Sequence, residues 1–165
     1  MRFSKRWFLL MPVLFFSFQV TDLLEIRKAY HVAIYDGKKA DIFCKELAKV
    51  SNPSPMQKGY MGAGKMLLAK NAFSPISKFN LFTEGKLLLD GSIKNAPNEI
   101  ELRYLRYSIQ LNCPAFLNYD SNRNEDRSFI LKQLPSLKDR DLKTRIIAFM
   151  ASSGNLSSAE REALQ

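Results

Sequence analysis

Apolar residues recur every three to four positions along most of the chain, which is the spacing of one face of an α-helix. After residue 20, short polar stretches that contain proline or glycine interrupt the pattern, and each interruption predicts the end of a helix. The pattern predicts helices over about 22–35, 40–50, 56–73, 75–95, 98–112, 125–134 and 137–152, followed by a short one near residue 160. We therefore expect an all-α fold.

Capping residues stand at several of the predicted helix starts. A small polar residue followed three positions later by an acidic one is typical of a helix N-terminus, because each side chain accepts a backbone hydrogen bond. Four such pairs occur: Asp22 with Glu25, Asn98 with Glu101, Ser136 with Asp139, and Ser157 with Glu160. Around Asp36 the alternative is a β-hairpin, but two strands alone are marginally stable, so helices are favoured there.

Two of the predicted helices indicate how the others pack. The helix over 75–95 is apolar nearly all round, so we expect it to be the most buried element. The helix over 98–112 instead has two opposed apolar faces, one with Leu102, Leu105 and Ile109 and the other with Ile100, Tyr104, Tyr107 and Leu111. A helix with two apolar faces must be covered on both sides, as in a stack of helical hairpins.

The N-terminal segment has the build of a secretory signal peptide. Arg2, Lys5 and Arg6 precede an uncharged apolar run from Trp7 to Val20. This run is shorter than the roughly 20 residues that a membrane-spanning helix needs. We expect residues 1–20 to be the signal and 21–165 to be one helical domain that is periplasmic or otherwise exported. A typical small-residue cleavage site is missing, so an uncleaved membrane anchor is the alternative.

The positive charge of the chain is concentrated in one region. The full chain carries a net charge of +9, and removal of residues 1–20 lowers it to +6. Residues 38–70 contain only two acidic residues but seven lysines, among them Lys38, Lys39, Lys45 and Lys49. One interpretation is a basic face that binds an anionic lipid or glycan, with association at a membrane surface. The alternative is a solvated face that keeps the protein soluble.

A second candidate surface is a polar stripe on the helix over 98–112. Arg103, Arg106 and Gln110 follow one another at helical spacing. Arginines on one stripe are suited to bidentate binding of carboxylates, so the stripe is a candidate contact for a protein partner. The alternative is that these arginines form salt bridges within the chain, with Glu99 pairing to Arg103.

The stretch from Gly59 to Met66 partly matches a phosphate-binding loop, G-x-x-x-x-G-K-[ST]. The match fails at the last position, because methionine has no hydroxyl for magnesium. It also fails in context, because prolines precede it where the motif requires a buried strand. We therefore expect no nucleotide, and we interpret Gly59, Gly62 and Gly64 as points where a neighbouring helix approaches closely.

Few other residues suggest chemistry. His31 is the only histidine and no nucleophile motif accompanies it, so we expect no enzymatic activity, cofactor or metal. Nucleic acid is likewise not expected as a partner. Cys44 and Cys113 are too few for a disulfide framework, but export would permit a single bridge between them. Whether that bridge forms is open, because spacing alone does not place the two Cα atoms.

Several short motifs between Lys58 and Tyr119 support a resemblance. They are Ala69-Lys70, Phe82-x-x-Gly85-x-x-Leu88, Ile93-x-x-Ala96-Pro97-Asn98-x-Ile100-Glu101-Leu102-Arg103 and Arg106-x-x-Ile109-Gln110-x-Asn112-x-Pro114. With Asp126, these motifs resemble those of an uncharacterised family of small exported bacterial proteins. The resemblance implies an architecture of tetratricopeptide-type (TPR-like) helical hairpins with degenerate repeats, and it implies no established activity.

Two functions therefore follow as expectations. The first is a non-enzymatic exported helical module that binds a protein through Arg103, Arg106 and Gln110. The second is an envelope-surface adaptor that binds anionic lipid or glycan through the basic residues of 38–70. Surface-charge binding weakens strongly as salt rises, which distinguishes the second function from the first.

Overall fold

The computed structural model describes residues 22–154 and 156–163, which form eight α-helices and no strand. The predicted signal peptide, residues 1–20, lies outside the described residues. The helices are α1 (Leu23–Ala33), α2 (Gly37–Leu47), α3 (Pro55–Asn71), α4 (Pro75–Asn95), α5 (Ile100–Asn112), α6 (Arg123–Gln133), α7 (Arg140–Ser152) and α8 (Ser158–Ala163). Two short 3-10 turns, Ala115–Leu117 and Leu134–Ser136, lie before α6 and after it. The all-α prediction is confirmed.

Local capping explains most of the helix starts. Asp36 accepts hydrogen bonds from the backbone amides of Lys38 and Lys39, so the sequence that suggested a hairpin begins α2 instead. Ser74 caps α4 by accepting from the Ser77 amide. The predicted capping pair at α8 is present: the Ser157 amide donates to Glu160, and the Glu160 amide donates to the Ser157 hydroxyl.

Two predicted caps are wrong. Helix α5 begins after Glu99 and has no side-chain cap, so neither Asn98 nor Glu101 caps it. Helix α7 is capped by Asp139, whose carboxylate accepts from the Leu142 amide at 3.0 Å. Ser136 does not cap α7, because it belongs to the 3-10 turn that precedes the helix.

Neighbouring helices from α1 to α6 pack against one another as pairs, and α1, α3, α5 and α7 also contact each other in turn. Packed helices joined by short connections run antiparallel. The odd-numbered helices therefore run in one direction and α2, α4 and α6 in the other. We call the end with turns 34–36, 72–74 and 113–122 the upper end, and the end with turns 48–54, 96–99 and 134–139 the lower end.

Contacts between the turns support this arrangement of the upper end. A Cβ atom placed on Gly37, the first residue of α2, would lie 3.1 Å from Cγ of Asn71, the last residue of α3. Tyr119, in the turn after α5, stacks edge-on against Phe82 of α4 with ring centroids 5.7 Å apart. The first three odd-to-even turns therefore lie along one end of the stack.

Helix α5 separates two hydrophobic cores, as its two apolar faces predicted. The first core lies among α1 to α4 and includes Leu102 and Leu105 of α5. The second lies among α5, α6 and α7 and includes Ile100 and Tyr107 of α5. Because both faces are covered, α5 has seven buried residues among 13 and is more enclosed than α4.

The prediction that α4 is the most buried helix is wrong. Only five of its 21 residues are buried. On its outer face Ile76, Phe79 and Leu87 are 74%, 61% and 69% exposed. Helix α4 lies at the side of the stack, where α3 and α5 cover one face and no described helix covers the other. Apolar content therefore overstated its burial.

The glycines of α3 allow close helix packing, as predicted. A Cβ on Gly62 would lie 2.6 Å from the carbonyl oxygen of Gly85 in α4, and a Cβ on Gly85 would lie equally close to that of Gly62. At Gly59 an added Cβ would collide with Leu102 of α5. Residues 59–66 are thus continuous helix, and their glycines bring α3 against its neighbours.

We expect Gly62→Ala to destabilise the protein by about 1–3 kcal/mol, because the added methyl meets backbone atoms that move only with the whole helix. Gly91→Ala, in the same hairpin, is the matched control. No atom lies within 4 Å of its Cβ position, so alanine there should stabilise by about 0.5–1 kcal/mol. Urea unfolding monitored by circular dichroism measures both changes. Equal effects of the two substitutions would contradict the close-packing interpretation.

Candidate functional site

The arginines of the predicted polar stripe face a buried carboxylate. Asp126 of α6 is fully buried and accepts hydrogen bonds from Nε and Nη2 of Arg106 at 2.7 and 2.8 Å. Arg106 also contacts Asp90 of α4 at 3.2 Å, and Asp90 accepts from the hydroxyl of Tyr119. This cluster connects α4, α5 and α6. Burial opposes the positive charge of Arg106, but hydrogen bonds to Asp126 and Asp90 outweigh it and raise the pKa of Arg106.

The other two stripe residues also point inward. Arg103 donates to Glu125 at 2.6 Å and to Asp126 at 2.9 Å, and its guanidinium lies over the ring of Phe129. Gln110 is 2% exposed, and within the described residues neither polar atom of its side chain has a hydrogen-bond partner. The stripe is therefore an internal contact between helices, and the expectation that it faces a protein partner is not met.

The partners of these arginines were not the ones expected. Arg103 pairs with Glu125 and Asp126 rather than with Glu99. These partners of Arg103 lie 22 and 23 residues away in the sequence, on the next helix. No local spacing rule connects residues so far apart, because rules for neighbouring charges apply within one helix.

A second buried ion cluster joins the odd-numbered helices. Glu101 of α5, 2% exposed, accepts two hydrogen bonds from Arg27 of α1, at 2.6 and 2.7 Å. The hydroxyl of Tyr60 in α3 donates to the same carboxylate at 2.6 Å. The remaining nitrogen of Arg27 lies 2.8 Å from Asp139, the cap of α7. One carboxylate thus contacts α1 and α3, and Arg27 extends the cluster to α7.

The pKa values in this cluster follow from burial and pairing. Burial opposes the charge of Arg27, but its bonds to Glu101 and Asp139 outweigh that effect and raise its pKa. Burial, together with the neighbouring Glu101, raises the pKa of Tyr60 well above its ordinary value. The pKa of Asp139 is lowered, first by the Leu142 amide that it caps and then by Arg27. Arg27 is therefore buried with carboxylate partners on both sides, as a buried charge in a structural contact requires.

The described residues contain little that suggests catalysis. No group of three or more His, Cys, Asp or Glu side chains among them is placed to hold a metal ion. A shallow open cleft of about 300 Å³ lies at the lower end, and no titratable side chain lines it. The lining residues are Leu23, Ile26, Ser54, Met56 and Gln57. His31 is exposed and contacts the ring of Tyr35 edge-on.

The two cysteines are free thiols in different surroundings. Cys44 lies on α2 beside Gly64 of α3, and burial raises its pKa to about 11. Cys113 ends α5, where its Sγ lies 3.7 Å from the carbonyl oxygen of Tyr119. Burial also raises the pKa of Cys113. A bridge between the two stays a prediction for oxidising conditions.

The lysines of 38–70 do not form one uniform face. Lys45 pairs with Asp41, Lys49 with Glu46 and Lys65 with Glu84. The others, Lys38, Lys39, Lys58 and Lys70, are exposed and have no carboxylate partner among the described residues. Because Lys58 lies in the first turn of α3, near the lower end, only three of these unpaired lysines share the upper end.

The structure brings four unpaired lysines to the upper end. Lys38 and Lys39 follow Gly37, which lies beside Asn71, and Lys70 precedes Asn71. Lys78, in the first turns of α4, is the fourth; sequence reasoning left it out because it lies beyond residue 70. The acidic side chains in these turns are Asp36, which caps α2, and Asp120, which lies 3.6 Å from Arg123. The upper end therefore carries a net positive charge.

The same end exposes aromatic side chains that sequence reasoning also missed. Tyr35, Phe73 and Phe116 stand in the turns after α1, α3 and α5 and are 80%, 103% and 80% exposed. A signal for them exists in the sequence, since each lies within two residues of a glycine or proline at a helix boundary. Periodicity does not use that signal, because it assigns aromatic residues to buried faces.

None of the helices in the described ranges is both long and apolar enough to cross a membrane. No protein-family model, curated protein or solved structure matches the chain. The resemblance to exported proteins with helical hairpins stays a prediction.

We expect Glu101→Gln to lower the free energy of unfolding by about 3 kcal/mol, because it leaves Arg27 buried beside an uncharged partner. Glu125→Gln removes a carboxylate that also pairs with an arginine but is 59% exposed, so it should cost less than about 1 kcal/mol. Chemical denaturation of the two variants tests the difference. If Glu101→Gln costs no more than Glu125→Gln, the buried cluster does not hold the helices together.

Stability should fall in acid. The pKa values of Glu125 and Asp139 are lowered below their ordinary values of 4.5 and 3.8, by the hydrogen bond from Arg103 and by the Leu142 amide, respectively. A carboxyl whose pKa is lower in the folded state stabilises the fold above its unfolded pKa, and this stabilisation disappears as pH falls. The melting temperature should therefore decline below about pH 4.5, and less steeply in Asp139→Asn. An identical decline in both proteins would contradict the assignment.

Proposed function

We propose that this protein is an exported, non-enzymatic helical adaptor that docks onto an anionic bilayer surface through the lysines of its upper end. The observation that supports it is the grouping of Lys38, Lys39, Lys70 and Lys78 at one end of the stack, without carboxylate partners among the described residues. Each basic residue near an anionic membrane contributes about 1 kcal/mol to binding, so four suffice for reversible attachment.

The shape of the upper end favours a broad partner over a small one. It consists of three turns and the adjoining helix ends, and the 300 Å³ cleft lies at the lower end instead. A small ligand requires a concave site that covers most of its surface. A bilayer requires only that several positive side chains reach one plane together, which a row of turns provides.

The hypothesis of a protein partner loses the residues on which it rested. Arg103, Arg106 and Gln110 are engaged or enclosed between α4, α5 and α6. A protein-binding role would need another surface, and we do not assign one. The second expectation, binding of an anionic surface by the lysines of 38–70, is retained without Lys45 and Lys49. Neighbouring acidic residues on α2 neutralise these two lysines.

The architecture suits an adaptor of the tetratricopeptide type. In such arrays each helical hairpin contacts the next, and the first helices of successive hairpins form one layer. The contacts of α1 with α3, of α3 with α5 and of α5 with α7 follow this order. We include in the proposal that the array is degenerate, and that residues 1–20 direct export and are then removed.

Vesicle sedimentation tests the proposal. The protein is produced from the full chain in an exporting bacterial host, and its intact mass identifies the N-terminus. Binding to vesicles that contain phosphatidylglycerol should exceed binding to pure phosphatidylcholine vesicles and should weaken as salt is raised from 50 to 300 mM, since salt screens exposed charges. Lys38→Glu with Lys39→Glu should weaken binding about tenfold or more.

The matched control is Lys132→Glu with Lys138→Glu. These lysines are exposed, lack a carboxylate partner among the described residues and lie away from the upper end, so the net charge changes equally. If the control weakens binding as much as the test variant, the upper end has no special role. Binding to dextran sulfate without binding to anionic vesicles would assign the lysines to a glycan and overturn the bilayer proposal.

A further inference from the structure

The exposed aromatic residues of the protein are distributed unevenly. Four aromatic side chains among the described residues are exposed: Tyr35, Phe73, Phe79 and Phe116. Three stand in the upper turns, and Phe79 lies in the second turn of α4, about 6 Å along the helix from Pro75. Ile76, 74% exposed, lies between Phe73 and Phe79. Every exposed aromatic residue of the described part therefore lies at the upper end, which also carries Lys38, Lys39, Lys70 and Lys78.

Among the described residues, the lower end lacks such apolar side chains, although it also carries exposed lysines. Its turns, 48–54, 96–99 and 134–139, expose serine, asparagine, proline and charged residues, and none exposes a large apolar side chain. Single apolar residues scattered over a surface are normal and need no explanation. A series with one aromatic residue at each of the three upper turns is not scattered, because the parallel odd-numbered helices bring those turns to one end.

The location of these residues in turns argues against a role in folding. Phe73 has the highest exposure of the large apolar residues, so it contributes almost nothing to either core. Water does not stabilise an exposed phenylalanine side chain, and transfer of that side chain to an apolar phase is favourable by about 1.5–3 kcal/mol. Three such residues beside four lysines match the composition of surfaces that lie in the interface of a bilayer, with apolar groups inserted and basic groups among the headgroups.

We propose that Tyr35, Phe73 and Phe116 insert into the interfacial region of an anionic bilayer, so that the helical stack stands with its upper end toward the membrane. This inference rests on the proposed function, since the lysines attract the bilayer, and it adds an apolar contact and a fixed orientation. Phe73 inserts most deeply, and Ile76 and Phe79 lie nearer the membrane surface, because α4 begins directly after the turn that contains Phe73. Lys38, Lys39 and Lys70 lie at the depth of the phosphate groups.

Insertion predicts binding with two components. The attraction between lysines and headgroups is screened by salt, whereas the transfer of aromatic side chains into the bilayer is not. Part of the binding should therefore persist at high salt. Apolar docking would also bury the outer face of α4 only at its first two turns, leaving Leu87 in solvent, since it lies about 18 Å from Pro75 along the helix.

Tryptophan fluorescence tests the insertion directly. In protein exported from the full chain with Trp7→Phe, the substitutions Phe73→Trp, Phe116→Trp and Asn98→Trp each give one tryptophan, the last in an exposed lower turn. With vesicles of phosphatidylglycerol and phosphatidylcholine, the first two should shift to shorter wavelength and be quenched by lipids with brominated acyl chains. Asn98→Trp should show neither change.

A second pair of variants separates insertion from electrostatic attachment. Phe73→Ser with Phe116→Ser should lower the vesicle partition coefficient about tenfold at 0.5 M salt, where the lysines are largely screened. Ile42→Ser with Leu87→Ser removes two exposed apolar residues away from the upper end and should leave the coefficient unchanged. All four positions are exposed, so melting temperatures should stay close to that of the parent protein.

The outcomes distinguish the two proposals. If the protein sediments with anionic vesicles and Phe73→Trp is not quenched, insertion is wrong and electrostatic attachment stands. If Asn98→Trp is quenched as strongly as Phe73→Trp, the fixed orientation is wrong. If no variant sediments with vesicles, the proposed function fails and the insertion with it, and another occupant such as a protein must cover the aromatic residues.

Discussion

The carboxylate of Glu101 is the contact on which the arrangement of the helices depends. It lies in the first turn of α5, accepts both hydrogen bonds of a bidentate pair with Arg27, and accepts a third from Tyr60. Arg27 then reaches Asp139 at the start of α7. A charge buried to this extent is tolerated only when all its partners are in place. The cluster therefore requires α1, α3, α5 and α7 to adopt one register, whereas apolar packing alone tolerates several.

Helix α5 combines this polar requirement with two apolar faces. Its sides toward Leu102 and Tyr107 supply separate cores, and Arg106 connects it to Asp126 of α6 and Asp90 of α4. Most charged groups of α5 are thus used for contacts between helices and not for partners. Only surfaces that helix packing leaves exposed can bind a partner. The turns at the ends of the stack are the main surfaces of this kind. This division explains why the candidate binding residues lie in turns.

Sequence reasoning succeeded where the cause is local and failed where it is distant. The capping box of Ser157 with Glu160 and the two apolar faces of α5 could be interpreted correctly, because each depends on residues within a few helical turns. The glycines of α3 were also understood, since a glycine in a helix implies a close neighbour. The exposure of the outward face of α4 was not predicted, because apolar content does not reveal which side of a helix its neighbours cover.

The sequence by itself determined that the chain forms helices, where most of them begin, and that α5 is covered on both sides. These properties follow from hydrogen bonds and periodicity within single helices. Only the tertiary structure decided that Arg106 belongs to a buried cluster, since its partner Asp126 comes from the next helix. It also decided that Tyr35, Phe73 and Phe116, separated by about 40 residues each, share one end. The parallel direction of the odd-numbered helices brings their turns together, and no local pattern encodes that direction.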